Sequence, residues 1–552
     1  MPRDPSDQQV VVEIRRRGKL LVGEPYFTPG VPIVLDAKGA GDLREADLAV
    51  VRPGRGRARI ERRLGTARRI DHVLEALLVE QGARVEFEPY ELPPIDSEGR
   101  VDLRDLTAIT IDPETAKDFD DALSFRREPD GIRSWVHIAD VSWFVPAGSP
   151  LDRGAAERAF STYVPGLVAP MLPHELADDA CSLRPYQDRL CVTVEMPPAR
   201  EPLFYRSVIN SRARLSYGQA ERREAPPEIL EQLDLAAEVA TALRTARYAR
   251  GALEVTSPEI AFSFADGRVT DAWRESEPHA HMLVEELMIR ANEHVAAFLA
   301  GRRGAALYRV HEPPDPQSIL SLVGRLSDLD VPTPPVPDSL SPRSAAALAG
   351  EISRRVTEYV AQSGRGREAF PTLVLRALKQ ARYDPVNLGH AGLASPAYCH
   401  FTSPIRRYPD LVVHRALVRE LGFGDDPEPD DLAGLAEHSS AREREAAQLE
   451  YLADDICLAW LLEDRLLERG WDEPWEGEIT GAIGSGLFVR FGDVFEGMLP
   501  ARRLPGEFFQ LNEEATALVG RRSGRRYRLG DPISVRVESI ARHEGKVELA
   551  LP

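Results

Sequence analysis

The chain has 552 residues, 43% hydrophobic and 28% charged, with a formal net charge of −19; at about 150 residues per domain it should hold roughly three or four units, or one large domain with satellites. No apolar run approaches the ~18–20 residues needed to span a bilayer, and the opening MPRDPSDQQVVVEIRRRGK is too acidic and too polar for a secretory signal. Four scattered cysteines (Cys181, Cys191, Cys399, Cys457), none in CxxC spacing, read as reduced thiols and point to a cytoplasmic protein without a disulfide framework. The negative sum hides its distribution. Residues 1–70 carry 15 Lys/Arg against 9 Asp/Glu, a balance of +6, and Arg521, Arg522, Arg525, Arg526 and Arg528 form a second basic cluster. Any one such run is more often a solvated face, but two basic ends around an acidic middle suit a polyanion, which needs only local positive surface.

In chain order, residues 1–65 are short β-prone pieces (VVVEI, KLLVGEPYF, VPIVL, LAVVRP, RARIERRL) broken by Gly and Pro, predicting a reduced barrel or a winged helix-turn-helix. IDHVLEALLVEQG (70–82) has helical spacing and a Gly stop, and EFEPYELPPIDSEGR (86–100) is a linker. From about 101 to 420 the pattern is mixed α/β: WVHIADVSWFV (135–145) and CVTVEM (191–196) read as strands, HMLVEELMIRANEHVAAFLAG (281–301) as helix, and EPPDPQ (312–317) and VPTPPVPDSLSP (331–342) as loops. Residues 426–470 read as long helices. The last segment, 473–552, alternates apolar and polar with Gly at its turns, which is the period of a small all-β barrel. The expected architecture is therefore multidomain α+β: a small N-terminal module with linker over 1–95, a large mixed α/β domain over 96–470, and a C-terminal β-barrel over 471–552.

The most informative stretch is ITIDPETAKDFDDALSF (109–125). Pro113 forbids an immediate helix after the β-branched lead-in, so Asp112 should end a strand, with Asp118, Asp120 and Asp121 on the loop that follows. An arbitrary acid cluster is usually a solvated turn. Here magnitudes count against that, because two like charges ~4 Å apart repel by about 1 kcal/mol in water and about 4 at an effective dielectric of 20. Four carboxylates flanked by Ile, Phe and Leu call for a hard cation, and Mg²⁺ prefers carboxylate oxygen. One or two such ions could orient water and stabilise the leaving oxygen of a phosphodiester. No glycine-rich dinucleotide or phosphate loop follows a strand, so no nucleotide cofactor is expected. His279 and His281, two residues apart with no third ligand nearby, read as surface residues.

The wording of this stretch resembles the aspartate motif of the ribonuclease II / ribonuclease R exoribonucleases, with all four acids in place. AERAFSTYVPGLVAPMLPHELADDACSLRP, VEELMIRAN (284–292) and HFTSPIRRYPDLVVHR (400–415) match further stretches of that family, so the resemblance covers most of 100–470. WEGEITGAIGSGLFVRFGDVFEGMLP (475–500) is similar to the OB-type RNA-binding domain that normally ends such chains. The resemblance implies an exoribonuclease catalytic domain, Mg²⁺ (or Mn²⁺ in its place), single-stranded RNA as partner, and processive 3′→5′ hydrolysis to nucleoside 5′-monophosphates by a monomer. Position by position, it implies Asp112, Asp118 and Asp121 as metal ligands, and Asp120 as a ligand whose loss stops chemistry. Arg406 would press on the scissile phosphate. Tyr163 would stack near the RNA 3′ end, Tyr217 and Glu285 would hold the terminal nucleotide, and Glu450 would line the same cavity.

Two departures stand out. Val255, in RGALEV, occupies the place of a clamping phenylalanine, and the N-terminal region is too short for the family's usual pair of cold-shock barrels. Both suggest a more open route to the aspartates. The competing readings are a catalytically inactive RNA-binding regulator on the same fold, which loss of an aspartate or of Arg406 would have signalled, and a metal-dependent phosphodiesterase acting on DNA or small nucleotides.

Overall fold

The computed structural model describes residues 9–18, 20–36, 43–54, 56–83, 86–253, 259–275, 279–302, 304–424 and 426–552, so Val255 lies outside the described residues. The first strands, β1 (Val10–Arg17), β2 (Leu20–Pro25), β3 (Ile33–Val34), β4 (Asp47–Arg52) and β5 (Arg59–Thr66), pair in the order β3-β2-β1-β4-β5. A parallel bridge between Leu35 and Ala58 joins the two edges. The five strands thus close into a ring through that bridge, with the Asp36 N–H on Ala58 O and the Ala58 N–H on Val34 O, both at 2.9 Å. Helix α1 (Ile70–Glu80) buries Ile70, Val73, Leu74 and Leu77 along one stripe. Its last residue, Glu80, accepts the Val11 backbone N–H at 2.6 Å.

The central sheet comprises β6 (Val101–Asp102), β7 (Ile109–Asp112), β8 (Asp121–Glu128) and β9 (Gly131–Ala139), and further strands beyond helices α2 (Val141–Phe144) and α3 (Pro150–Arg158) and the hairpin β10 (Thr162–Val164) and β11 (Leu167–Ala169). Those strands are β12 (Asp188–Met196), β13 (Leu203–Asn210) and β14 (Ala213–Ser216), and α4 (Tyr217–Glu221) follows directly. Among the described residues the order is β14-β7-β8-β9-β12-β13-β6. The strand expected over 135–145 stops at Ala139 and turns into α2. The cause is Asp140, fully buried between Arg100 at 2.8 Å and Arg206 at 3.0 Å. Burial alone would raise its pKa, but the two guanidiniums hold it below the ordinary carboxylate range.

Both faces of this sheet are covered, which explains strands with few exposed positions. One face (Ile109, Leu123, Val136, Val192) packs against α5 (Pro227–Ala249) and, beyond the hairpin β15 (Ile260–Ala265) and β16 (Arg268–Arg274), α6 (His279–Arg302). The other (Ala122, Ala139, Cys191, Ile209) packs on α2, α3 and α10 (Tyr408–Glu420). Onward run β17 (Tyr308–Val310), α7 (Pro316–Asp328), α8 (Pro342–Ser363), α9 (Ala369–Arg376), β18 (Arg382–Asp384), α10 (Tyr408–Glu420) and α11 (Leu432–Arg469). In place of several long helices over 426–470 stands one helix of 38 residues, about 57 Å at 1.5 Å per residue.

The C-terminal strands are β19 (Trp475–Ile483), β20 (Gly486–Phe491), β21 (Phe495–Pro500), β22 (Phe509–Leu511), β23 (Ala517–Gly520), β24 (Arg526–Arg528), β25 (Pro532–Ala541) and β26 (Lys546–Ala550). β19-β20-β21-β26-β25 close into a barrel, and β22–β24 form a separate sheet inserted between its third and fourth strands. One hydrophobic core joins residues of the N-terminal barrel, α1, α7–α9, α11 and this barrel. Phe370, fully buried, anchors the junction. Gly366 (φ +71°) and Gly530 (φ +77°) lie so close to its ring that a Cβ at either would clash. Arg526 pairs with Asp328 at 2.8 Å and Arg528 with Asp330 at 2.8 Å, so two of the five arginines in the C-terminal basic cluster are spent on tethering the barrel to α7 and the loop after it.

Candidate active site

Asp112 ends β7, as Pro113 requires, and Asp118 and Asp120 lie on the loop beyond it; Asp121, expected on that loop, opens β8 instead. Because Ile109 of β7 faces Leu123 of β8 across an antiparallel pair, the strand ends bearing Asp112 and Asp121 lie side by side. The loop is tied down at several points. Ser182 Oγ donates to Lys117 O at 2.7 Å and accepts the Phe119 N–H at 3.0 Å. Arg214, from the strand beside β7, donates to Pro113 O at 2.5 Å and Glu114 O at 3.0 Å.

These carboxylates are poorly hydrated. Asp112 is 9% and Asp120 4% exposed, and one buried oxygen of each (Oδ2) has no hydrogen-bond partner. Burial, then the charge of Asp121, pushes the Asp112 pKa up to about 8. Burial lifts Asp121 to about 6 and Asp120 well above the usual range, with Arg406 offsetting part of each shift. Orphaned hard oxygens on acids that resist ionising together are a donor set that fits a divalent cation. As placed, no three acidic, His or Cys side chains among the described residues already stand in coordinating positions. Asp118 Oδ2 instead accepts the Tyr163 phenol at 2.6 Å. Asp120 Oδ1 accepts the Ile405 N–H at 2.8 Å.

Arg406 and Arg407, adjacent in sequence, divide at this point. The Arg406 side chain is 48% exposed, and its Nε lies 3.7 Å from Asp120 Oδ2. Arg407 points into the protein and pairs with fully buried Asp410 at 2.7 Å. Asp410 Oδ1 also accepts the Ser403 N–H at 2.8 Å, so one carboxylate holds both ends of the 403–407 turn. The Arg406 carbonyl accepts the Ser161 N–H at 2.9 Å, fastening this turn to the segment that leads into Tyr163.

The remaining expected site residues have distinct placements. Tyr163 sits on β10 beside Asp118. Glu450, expected to line a cavity, has its Oε1 on the Tyr163 backbone N–H at 2.8 Å and thereby anchors β10 to α11. Tyr217 opens α4 under a capping box from Ser216, and Ser216 is the register partner of Asp112 in the parallel pairing of β14 with β7. Glu285, 45% exposed on α6, lies 3.8 Å from the Arg247 guanidinium, which pairs at 2.5 Å with its buried neighbour Glu286.

Residues 100–422 match the RNB domain. The chain is 37% identical over 489 residues to ribonuclease R of Escherichia coli (strain K12), covering 84% of this chain and 58% of that one. It is 35% identical to ribonuclease R of Aquifex aeolicus (strain VF5), covering 85% of this chain and 67% of that one. The chain belongs to the ribonuclease R family of RNB-domain proteins. Its fold is similar to that of Mycoplasma genitalium RNase R in complex with ribose methylated single-stranded RNA, with a TM-score of 0.87 at 24% identity over 99% of this chain and 90% of that one. The chain spans little more than half the length of its E. coli relative. Within this ribonuclease R frame, sequence reasoning missed Arg214, Ser182 and Asp410. Arg214 stands three residues before Tyr217 with no motif of its own, and Ser182 and Asp410 look ordinary until the fold brings them to their loops.

Proposed function

We propose that this protein is a hydrolytic, processive 3′→5′ exoribonuclease that degrades single-stranded RNA to nucleoside 5′-monophosphates with Mg²⁺, or Mn²⁺ in its place. The carrying observation is the group of buried Asp112 and Asp120 with half-buried Asp121 at two adjacent strand ends, and the exposed Arg406 guanidinium beside Asp120. In this reading Asp112, Asp118, Asp120 and Asp121 hold the cation. When bound, it would supply Lewis-acid stabilisation of a phosphodiester and lower the pKa of a water. Arg406 offers a planar fork to the developing charge on the scissile phosphate. Its backbone is fixed through Ser161, and the turn that carries it through Asp410, so little reorganisation is needed when that charge appears. Tyr163 presents a ring for base stacking, and Glu450 fixes the height of that ring. Tyr217 and Glu285 border the position of the terminal nucleotide.

The proposed division of labour follows the regions 1–95 for a small RNA-contact module with linker, 96–470 for catalysis, and 471–552 for an OB-type RNA-binding barrel. All four cysteines are buried free thiols, which supports a reducing, cytoplasmic setting; among the described residues no helix is long and apolar enough to cross a membrane. A monomer without a nucleotide cofactor completes the reading. The inactive-regulator alternative finds no support, since all four aspartates and Arg406 are present. The test is a gel of 5′-labelled RNA and DNA oligomers with Mg²⁺ or EDTA. Mg²⁺-dependent conversion of full-length RNA to short 5′-labelled end products, without a ladder of intermediates and with DNA intact, is the expected result. RNA bound but uncut would support the regulator instead, and DNA cut equally well would support a general phosphodiesterase.

A further inference from the structure

At its end away from the aspartates, the central sheet borders a cavity of about 720 Å³. Asp121 pairs with Ile138 across β8 and β9, and Ile132, in the cavity wall, pairs with Arg127 six residues further along β8. At ~3.3 Å per residue the wall is about 20 Å from the aspartate end. The cavity forms where the helical layer on one face of the sheet runs out. Ile132, Met196, Val239 and Leu243, half-buried at the margin of that core, line it from β9, the end of β12 and α5. Arg290 and His294, one turn apart on α6, form its polar wall, and the turn 197–202 before β13 supplies Arg200. Among the described residues the His294 imidazole has no hydrogen-bond partner, and burial, then Arg290, lowers its pKa to about 4. It therefore stands neutral at the cavity with one N–H donor and one acceptor nitrogen to offer. Arg290 gives one nitrogen to Glu293 at 3.1 Å, a carboxylate that Arg250 also holds at 2.9 Å, so most of the Arg290 fork stays available. Arg200 is exposed and makes no ion pair among the described residues; Glu128, which feels its charge, is already paired with Arg133 at 2.6 Å. Against these two arginines the lining holds one acid, Glu201. Guanidinium forks suit a phosphate, and an apolar slot of this size suits a flat ring carried with it.

We propose that this cavity is a binding site, separate from the aspartates, for a nucleoside 5′-monophosphate, with the phosphate on Arg200 and Arg290 and the base between the apolar wall and His294. The choice of that phosphate among others rests on the exoribonuclease reading, in which the same molecule is the product released. The experiment is a calorimetric titration of the full chain with AMP, ribose 5-phosphate, adenosine and inorganic phosphate, in EDTA so that no turnover occurs. AMP should saturate one site, and ribose 5-phosphate and adenosine should each bind at least about 10-fold more weakly, because each lacks one half of the contacts. Arg200→Ala removes no ion pair within the fold and should weaken AMP about 10-fold through the loss of a charge-assisted hydrogen bond. Val239→Trp fills the apolar side and should abolish binding; thermal melts of both variants check their folding, and if Val239→Trp melts early Arg200→Ala decides alone. An absence of saturable AMP binding, AMP binding that the variants leave unchanged, or ribose 5-phosphate bound as tightly as AMP would overturn the proposal. RNA left uncut in the gel assay, with AMP still bound at this cavity, would overturn the exoribonuclease reading and leave the site standing, so the two failures are told apart.

Discussion

Asp120 makes two contacts that an amide isostere treats differently. Its Oδ1 accepts the Ile405 N–H, which Asn retains, while its charge faces Arg406 Nε at 3.7 Å, which Asn loses. Asp120→Asn should therefore fold normally and bind RNA within a few-fold of wild type by fluorescence anisotropy, because affinity is spread over phosphate and stacking contacts. Hydrolysis should drop by more than about 10²-fold, the usual loss on removing one preorganised charge-stabilising group. Activity near wild type would show that the acids are misassigned. Glu450 has a defined partner in the fold. Since Oε1 serves the Tyr163 N–H, Glu450→Gln keeps an acceptor and should stay close to wild type, whereas Glu450→Ala should cost about 10-fold in kcat/KM. Equal behaviour of the two variants, both impaired, would instead favour a direct role for the Glu450 charge. The sequence pointed to Asp112 at a strand end because Ile109–Ile111 and Pro113 leave little else for that peptide to do. It said nothing of Tyr163 reaching Asp118, because 45 residues separate them and only the docking of β10 closes the gap.

Among elements, the turn 403–407 before α10 shows how little a local motif says about direction. In TSPIRRYPD two adjacent arginines stand at a helix start, and only Arg406 faces solvent. Breaking a buried ion pair by removing one partner costs about 3–5 kcal/mol, so Asp410→Ala should lower the melting temperature by several degrees and reduce kcat as Arg406 loses its platform. An unchanged melt would mean that the Arg407–Asp410 pair is dispensable. The central sheet adds a pH dependence. His137 is fully buried, bridging Ser124 at 3.0 Å and Thr193 at 2.9 Å, and burial lowers its pKa to about 3. Burial likewise lowers His390 to about 3 and His414 to about 4. The unfolded chain takes up these protons near pH 6.5, well before the folded one does, so the stability these groups contribute is present above 6.5 and is lost as pH falls toward 4. Because Asp112, Asp120 and Asp121, with their raised pKa values, act in the opposite direction, the test is a difference: between pH 7 and 4 His137→Phe should lose less melting temperature than wild type, while starting lower at pH 7 because Ser124 and Thr193 lose their partner. A slope identical to wild type would remove His137 from the account.

For the whole molecule, the common core changes what the C-terminal barrel can be asked to show. Its strands pack on α11 and around Phe370, so removing residues 473–552 would expose that core and confound RNA binding with folding. The cleaner change is at the surface. Of the five arginines in the cluster, Arg526 and Arg528 are engaged with Asp328 and Asp330, whereas Arg521, Arg522 and Arg525 are exposed on the inserted sheet and its turn. Replacing these three with Gln should leave the melt unchanged, weaken RNA binding, and shrink the salt slope of log K by up to about 2, at about 0.7 per phosphate contact on single strands. An unchanged slope would place the RNA path elsewhere.

The chain by itself determined the secondary-structure class of its segments, the strand-end position of Asp112, the all-β character of both ends and, through long matching motifs, the family. Those properties are local: they follow from period-2 and period-3.6 patterning, proline geometry and runs of contiguous residues. Tertiary structure decided which of two neighbouring arginines faces solvent, that Glu450 holds a backbone amide, that the N-terminal strands close into a barrel through the bridge of Leu35 and Ala58, and that the β-rich ends share a core with α11. Each of these depends on contacts between residues tens to hundreds of positions apart, where burial and a single hydrogen-bond partner choose among placements that the local sequence leaves open.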